Sequence, residues 1–428
     1  MRRQSVQIER LPDLQHIGGR KISDGFMTDA ILVLNGGSSS LKFAVFERSD
    51  QLPLLLRGNI SSLGRQPRLR VEAAAGRSKI DRSLGEAQID MDKAFTTVTS
   101  VLAESDLLRR IDRVGHRIVH GGRGLTEAAL LDERTLKALR LLEPMAPIHQ
   151  RINLEIVALA TELLPQALQI GCFDTAFHST RPQLAKIYGL PRAMTEAGIV
   201  SYGFHGLSYS HIASRLRDRY GARAGGRTIV AHLGSGASLC AMDAGRSIAT
   251  TMGFSTLDGL VMSTRCGALD PGIILHLLQE KKLSTEELVA LLYEQSGLLG
   301  VSGISGDMRT LIDSDSPAAA EAVDLFVYRI GREIGSLAAA IGGLDTLVFT
   351  AGIGENAPSI RERIGAVAGW LGVDIDHKLN RRGEGVISLA GSSVDVLVIP
   401  TDEERAVGSQ LLSVRPPASS LATRERPT

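Results

Sequence analysis

The stretch that decides the fold is Ile31-Leu32-Val33-Leu34-Asn35-Gly36-Gly37-Ser38-Ser39-Ser40-Leu41. A short continuous apolar run reads as a buried strand. Here it stops at a turn of small residues and then resumes, which reads as strand, Gly/Ser turn, strand. Half the folded length further on, Gly234-Ser235-Gly236-Ala237-Ser238-Leu239 repeats the turn, again with apolar runs on both sides. One such turn in each half predicts two like-folded domains facing each other.

Working outward, further strands are expected at Arg113–Val119, Gln169–Phe173, Thr228–Ala231, Leu239–Met242, Thr346–Thr350 and Val394–Ile399, with the first run reaching Phe46. Helical spacing predicts helices over Met91–Glu104, Glu133–Leu142, Asn153–Leu163, Ser208–Arg219, Thr285–Gln295, Pro317–Ile341 and Ser359–Trp370. Strands alternating with helices define an α/β architecture. Residues before Asp29 lack periodicity, and Met27 stands just ahead of the first strand, so Met27 is expected to be the natural start. The Pro/Ser/Arg-rich end from Arg415 reads as a disordered tail.

Lys+Arg 48 against Asp+Glu 47 leaves a formal net charge of +1. That balance argues against a general nucleic-acid binder and against an acidic disordered scaffold. Glycine is in excess, 45 residues in 428, against an average near 7%. Such a chain has many turns and many close backbone approaches. Three cysteines without metal-ligand spacing indicate a reducing compartment. No apolar run reaches the ~18 residues of a membrane span, and no apolar segment comes after the first arginines, so a cytoplasmic location is expected.

Small residues in a turn leave backbone N–H groups and hydroxyls to face an anion, although the same residues suit an ordinary hairpin. Two such turns facing across a cleft would clasp a polyphosphate. Gly352-Ile353-Gly354-Glu355-Asn356 comes after an expected strand and is expected to open the helix from Ser359, a favourable nucleotide site. Arg117 lies inside a strand bounded by glycines, and Arg265 lies in a small-residue turn. A guanidinium there pairs bidentately with carboxylate or phosphate, or forms a structural salt bridge. Asp174 stands at the C-terminal end of a strand, where it can take a proton, order Mg²⁺, or cap the next turn. His205 sits between glycines. Thr401-Asp402-Glu403-Glu404 comes after the last strand and suits either Mg²⁺ or a capping box. His116 and His120 lack the rest of a zinc site. Phosphate turns, arginines, a histidine and acids, with no nucleophile triad, suit phosphoryl transfer.

The chain resembles the acetate kinase (acetokinase) family of the actin and sugar-kinase superfamily. The segments that carry the resemblance are LVLNGGSSSLKF (32–43), VGHRIVHGG (114–122), FDTAFH (173–178), YGFHG (202–206), HLGSGAS (232–238), LDGLVMSTRCGALDPG (257–272), SGISGDMR (302–309), FTAGIGEN (349–356) and PTDEE (400–404). The resemblance implies two duplicated ribonuclease H-like, actin-like ATPase domains around a nucleotide cleft. Residues 29–177 with the helix 403–414 would form the first, 178–402 the second, and 1–28 and 415–428 disordered ends. It implies reversible transfer of the ATP γ-phosphoryl group to acetate, with Mg²⁺ (or Mn²⁺), in a homodimer; direct in-line transfer is favoured over a phosphoenzyme.

By motif position, Asp174, Arg117, Arg265 and His205 would be catalytic, with His205 and Arg265 stabilising the transition state. Val119, Ile148, Phe204 and Thr256 would join Arg117 in binding acetate, while His149 and His232 would lie close to His205 and the transferring phosphoryl group. Lys42, His232, Leu233, Gly234, Ser235, Gly236, Asp307, Met308, Arg309, Gly352, Ile353, Gly354 and Asn356 would bind ATP. Asn35 and Glu403 would serve the metal. Ser235 departs from the family's usual Asn, Thr256 from Pro, and Ile148 from Leu, with Gln150-Arg151 where Asn-Pro is usual. Acetate is expected to be preferred over propionate and butyrate, because Val119 and Phe204 narrow the pocket. The alternatives are a propionate or butyrate kinase and, more remotely, a chaperone-like ATPase without acyl chemistry.

Overall fold

The computed structural model describes residues 29–37, 39–74, 79–220 and 226–415, with Pro147 and Ile148 described by backbone alone. The expectations for residues 1–28, for the tail beyond Arg415 and for the Ile148 side chain lie outside these residues. The chain divides into two compact units, one ending at Asp174 and resuming at Glu403, the other running Thr175–Asp402.

The first unit contains β1 (Ala30–Gly36), β2 (Ser40–Glu47), β3 (Leu54–Ser61), β4 (Arg68–Ala73), β5 (Lys79–Ser83), β6 (Ile111–Ile118), β7 (Ala129–Leu130) and β8 (Leu168–Phe173). They form one sheet in the order β5-β4-β3-β2-β1-β6-β8-β7. β1 to β5 are antiparallel neighbours, while β6 is parallel to β1 and β8 to β6. One face packs its alternate residues, such as Leu32, Leu34, Phe43, Leu56 and Val71, against the helices Met91–Glu104 and Pro147–Leu163. On the opposite face lies the helix Glu403–Ser413. Gly115 faces its Val407 and Leu411, because a side chain there would occupy the helix's place. Arg113 donates to the carbonyls of Leu411 and Val414 and so holds the helix C-terminus, where a cation also opposes the helix dipole.

The second unit contains β9 (Arg227–Leu233), β10 (Ala237–Asp243), β11 (Arg246–Thr250), β12 (Thr346–Thr350), β13 (Gly385–Val386) and β14 (Asp395–Val398), ordered β11-β10-β9-β12-β14-β13. Its meander β9-β10-β11, succeeded by parallel β12 and β14, repeats the order of β1-β2-β3 succeeded by β6 and β8. The two Gly/Ser turns fall at the same topological place in each unit. This is the duplicated α/β fold that the repeat in the sequence implied.

Several elements differ from expectation. The meander strands β3 to β5 and strand β11 were not anticipated. The helix expected from Asn153 starts at Pro147, where a missing N–H costs nothing in the first turn. The helix expected over Ser359–Trp370 runs Pro358–Val367, with a separate 3₁₀ turn at Gly369–Leu371. Residues Ala351–Asn356 are helical rather than a glycine turn. The Glu355 carboxylate accepts the Ala351 and Thr401 N–H groups at 2.8 and 3.0 Å, and Asn356 Nδ2 donates to the Gly352 carbonyl at 2.9 Å. Those local bonds close the segment into a turn of helix despite its two glycines.

Candidate active site

In the first unit, Arg117 is the hub. It lies on β6 one residue before the strand end, and Asp174 comes directly after β8, the next strand over. Arg117 Nη2 donates to Asp174 at 2.8 Å and Nε at 3.2 Å, while Nη1 reaches Glu403 at 2.9 Å and Asn35 Oδ1 at 3.1 Å. Asn35 Nδ2 donates to Glu403 at 3.1 Å and to Glu404 at 3.4 Å. The amide therefore has one orientation, oxygen toward the cation and nitrogen toward the carboxylates. Burial alone would lower the Arg117 pKa, but Asp174, Glu403 and Glu404 outweigh it and raise the value. The Asp174 carboxyl is used by Arg117, while Thr175 occupies the N-cap position of the next 3₁₀ turn.

Asn153, which sequence reasoning missed, ties this cluster to the first turn. Its side chain accepts the Val119 N–H at 3.0 Å and donates to the Gly36 carbonyl at 3.0 Å. Val119 is buried just beyond β6, and Lys42 is exposed on β2, opposite Asn35 in the register. His149 lies in the first turn of the helix Pro147–Leu163.

In the second unit, the turn after β9 is the centre. Gly236 has two neighbours that matter. A Cβ built on it would stand 3.2 Å from His205 Nε2 and 3.7 Å from Arg265 Nη2. His205 stacks on His232 with ring centroids 4.2 Å apart. Its Nδ1 meets Ser238 Oγ at 2.8 Å, and the same hydroxyl meets Tyr209. His232 Nδ1 meets Ser208 Oγ at 2.9 Å, and Ser208 meets Thr401 at 2.8 Å. His205 also holds a left-handed backbone, φ +58°. Strain of this kind costs about 1–3 kcal/mol and concentrates at functional sites.

Arg265 donates from Nη1 to the Thr256 carbonyl at 2.9 Å and to Met262 Sδ. Among the described residues no carboxylate pairs with it. Burial lowers its pKa, with only Tyr293 acting the other way. A half-buried guanidinium without a counter-charge is a ready anion site.

The strand pairing sets Thr350 beside His232, so the turn after β9 and the segment after β12 lie next to each other. A Cβ on Gly234 would lie 3.6 Å from Ala351 Cβ and 3.9 Å from the Gly352 nitrogen. Arg361, buried and not anticipated, donates to the carbonyls of Gly354 and Glu355 at 2.9 and 2.8 Å and so closes the far end of that helical turn. The Ser235 carbonyl accepts from Ser263 N at 3.2 Å, and Gly306 packs on the Ser263 carbonyl, which brings Asp307, Met308 and Arg309 toward the same turn. Asp307 caps its helix through Thr310, Met308 is buried and Arg309 exposed. Leu233 is fully buried within β9, Ile353 is half-buried, and Phe204 and Thr256 are buried.

His178 is a further positioning residue. Burial, reinforced by Arg181, pushes its pKa down to about 3. The neutral ring meets the Phe204 carbonyl through Nε2 at 2.9 Å and Ser247 Oγ through Nδ1 at 2.8 Å. A carbonyl only accepts, so Nε2 carries the proton, and the ring fixes the backbone just ahead of His205. The FDTAFH segment was the available signal.

A glycine turn and a glycine-bearing turn of helix at adjacent strand ends, an arginine beside them with no carboxylate partner among the described residues, and a repeated α/β unit define a phosphotransferase of the actin-like ATPase class. The acetokinase family model matches residues 30–409, and the chain belongs to that family of kinases with a carboxyl acceptor. It is 50% identical over 384 residues to an acetate kinase of Rhodopseudomonas palustris (strain TIE-1), covering 88% of this chain and 96% of that one. Its fold is similar to a propionate kinase from Francisella tularensis, with TM-score 0.83, 33% identity and coverage of 90% and 99% of the two chains. It is also similar to the Porphyromonas gingivalis acetate kinase, with TM-score 0.78, 35% identity and coverage of 89% and 98%.

Proposed function

We propose that the protein catalyses reversible, direct in-line transfer of the ATP γ-phosphoryl group to acetate, the acetate kinase reaction. A carboxylate oxygen attacks the γ-phosphorus, the bond to the β–γ bridging oxygen breaks, and ADP leaves with that electron pair. The nucleophile is already ionised at neutral pH, so the chain needs no strong base. Its task is to bring two anions together, and preorganised positive groups do that.

The observation that carries this reading is Arg265. It is a half-buried cation with no carboxylate partner among the described residues, beside His205 and Gly236. Arg117 and Arg265 are assigned to the acetate carboxylate and the phosphoryl group, and His205 to the phosphoryl oxygens. Val119, Ile148, Phe204 and Thr256 are assigned to the acyl methyl. ATP is assigned to Lys42, His232, Gly234, Ser235, Gly236, Gly352, Gly354, Asn356 and the 307–309 segment. Among the described residues no three acids or histidines gather into a metal cage, but Mg²⁺ needs only one or two carboxylates beside waters and substrate phosphates, and the hard oxygens of Asn35, Asp174, Glu403 and Glu404 fit that role. Asn35 and Glu403 would hold it, and a bound Mg²⁺ supplies charge neutralisation on the phosphates.

A homodimer is part of the proposal. The helix Pro271–Gln279 has no buried residue, although its sequence includes Ile273, Leu275 and Leu278. Sedimentation would give the mass. A cytoplasmic location is supported by three free cysteines, and among the described residues no helix is long and apolar enough to cross a membrane.

Trapping acyl phosphate as the hydroxamate tests the activity. Signal is expected only with ATP, Mg²⁺ and acetate together, and Arg265→Ala should lower it by about 10²–10³-fold. A variant near wild type would overturn the assignment. Steady-state kinetics on acetate, propionate and butyrate should rank acetate first. A propionate preference would favour the second reading, which the likeness to the Francisella enzyme supports.

A further inference from the structure

The outer strands of the first sheet carry a charged face of which only Lys42, at its inner edge, is assigned to the transfer reaction. The register places Lys42, Asn59 and Arg70 side by side across β2, β3 and β4, and Arg57, Glu72 and Lys79 side by side across β3, β4 and β5. These residues and Glu404 line a cavity of about 360 Å³. That volume suits a small ligand, since such sites begin near ~300 Å³. Four cations, Lys42, Arg57, Arg70 and Lys79, face two carboxylates, Glu72 and Glu404. Among the described residues neither Lys42 nor Lys79 has an ion-pair partner. Arg70 uses Nε on Asp81 at 3.2 Å.

We propose that this cavity is an effector site for a small polyanion bearing two or more carboxylate or phosphate groups. Neighbouring strands lie about 5 Å apart, so the cations of one row span about 10 Å. A single acetate or chloride meets one of them, whereas a polyanion meets several. Among the described residues no aromatic side chain lines the cavity, so none of them would stack on a base, and a plain polyanion fits better than a nucleoside phosphate.

Glu404 links the cavity to the reaction. It lines the cavity and also accepts from Asn35 Nδ2, whose oxygen takes Arg117. A polyanion there adds negative charge beside a cluster that must accommodate further anions, and it lowers the transfer rate.

The test uses the full chain, with citrate and pyrophosphate as separate probes that distinguish carboxylate from phosphate. Calorimetric titration in Mg²⁺-free, nucleotide-free buffer of matched ionic strength compares wild type with an Arg70→Ala, Lys79→Ala double variant. At least one probe should bind saturably to wild type and about tenfold or more weakly to the variant, which keeps its melting temperature and basal rate. At constant free Mg²⁺ the same probe should lower the wild-type rate several-fold and spare the variant's. The proposal fails if neither probe binds saturably. It also fails if the variant binds equally well, which would assign the anion to the transfer site. Binding without any effect on the rate would overturn the effector role.

Discussion

Asn153→Ala tests whether one buried amide holds the first Gly/Ser turn in register with the strand that carries Arg117. Asn153 is 3% exposed, and its side chain bridges the Val119 N–H and the Gly36 carbonyl, both at 3.0 Å. Truncation leaves the Val119 donor buried and unsatisfied, at a cost of about 1–3 kcal/mol. The Gly36 bond is only partly buried, so water can replace its donor, and the loss there is nearer ~1 kcal/mol. The sum is about 2–4 kcal/mol. For a unit of this size each kcal/mol moves the melting temperature by about 2–4 °C, so the melting temperature should fall by roughly 4–16 °C.

Activity should fall further than stability alone accounts for at assay temperature, because Gly36 and Val119 are no longer held to one another. Asn153→Asp refines the test. It keeps an acceptor for Val119 but turns a carboxylate oxygen toward the Gly36 carbonyl, so it should be at least as harmful as alanine to the turn. Differential scanning calorimetry with steady-state kinetics gives both readouts. A melting temperature within about 1–2 °C of wild type (under ~1 kcal/mol), with unchanged kcat/KM, would refute the reasoning.

Three further outcomes are expected. Asp174→Asn removes the 1%-exposed carboxylate that takes Arg117 through two nitrogens, and kcat/KM should drop about 10²-fold or more while circular dichroism stays native; a variant keeping half its activity would remove Asp174 from the machinery. Gly115→Ala would set a methyl 2.6 Å from Val407 Cγ1 and 2.9 Å from Leu411, so the helix bearing Glu403 must move; about 1–3 kcal/mol in the urea unfolding free energy and a fall in kcat should appear together, and an unaffected kcat would separate helix position from catalysis. Burial holds His116 and His120 at about 4 and His178 at about 3, below the usual 6.5. The unfolded chain thus binds more protons below pH 6.5, so stability is full above that value and is lost as pH falls toward 4, by on the order of 3 kcal/mol per histidine. The urea midpoint at pH 5 should lie clearly below that at pH 7.5, and a flat profile between them would contradict the buried neutral rings.

What could be read from the sequence, and what could not, divides along the range of the interactions. The Gly/Ser turns between apolar runs are local signals, and they located β1–β2 and β9–β10 and with them the duplication. Arg117, Asp174 and Arg265 stood out because a charge inside an apolar or glycine context needs a reason. Strands β3 to β5 escaped because Arg68, Arg70 and Glu72 alternate with Leu69, Val71 and Ala73, and the charges obscured the period of two that burial then revealed. Asn153, His178 and Arg361 escaped for a different reason. Each acts on backbone groups, and Asn153 reaches Gly36 across 117 positions, so no local pattern announces it. Asn35 lies between the two cases. The family resemblance implied contact with phosphate or metal, yet the structure shows its amide already spent on Arg117, Glu403 and Glu404. A ligand reaching this cluster must therefore exchange with those bonds rather than fill an idle side chain. That makes the network, more than any one residue, the quantity that mutations at Asn35 and Asp174 will perturb.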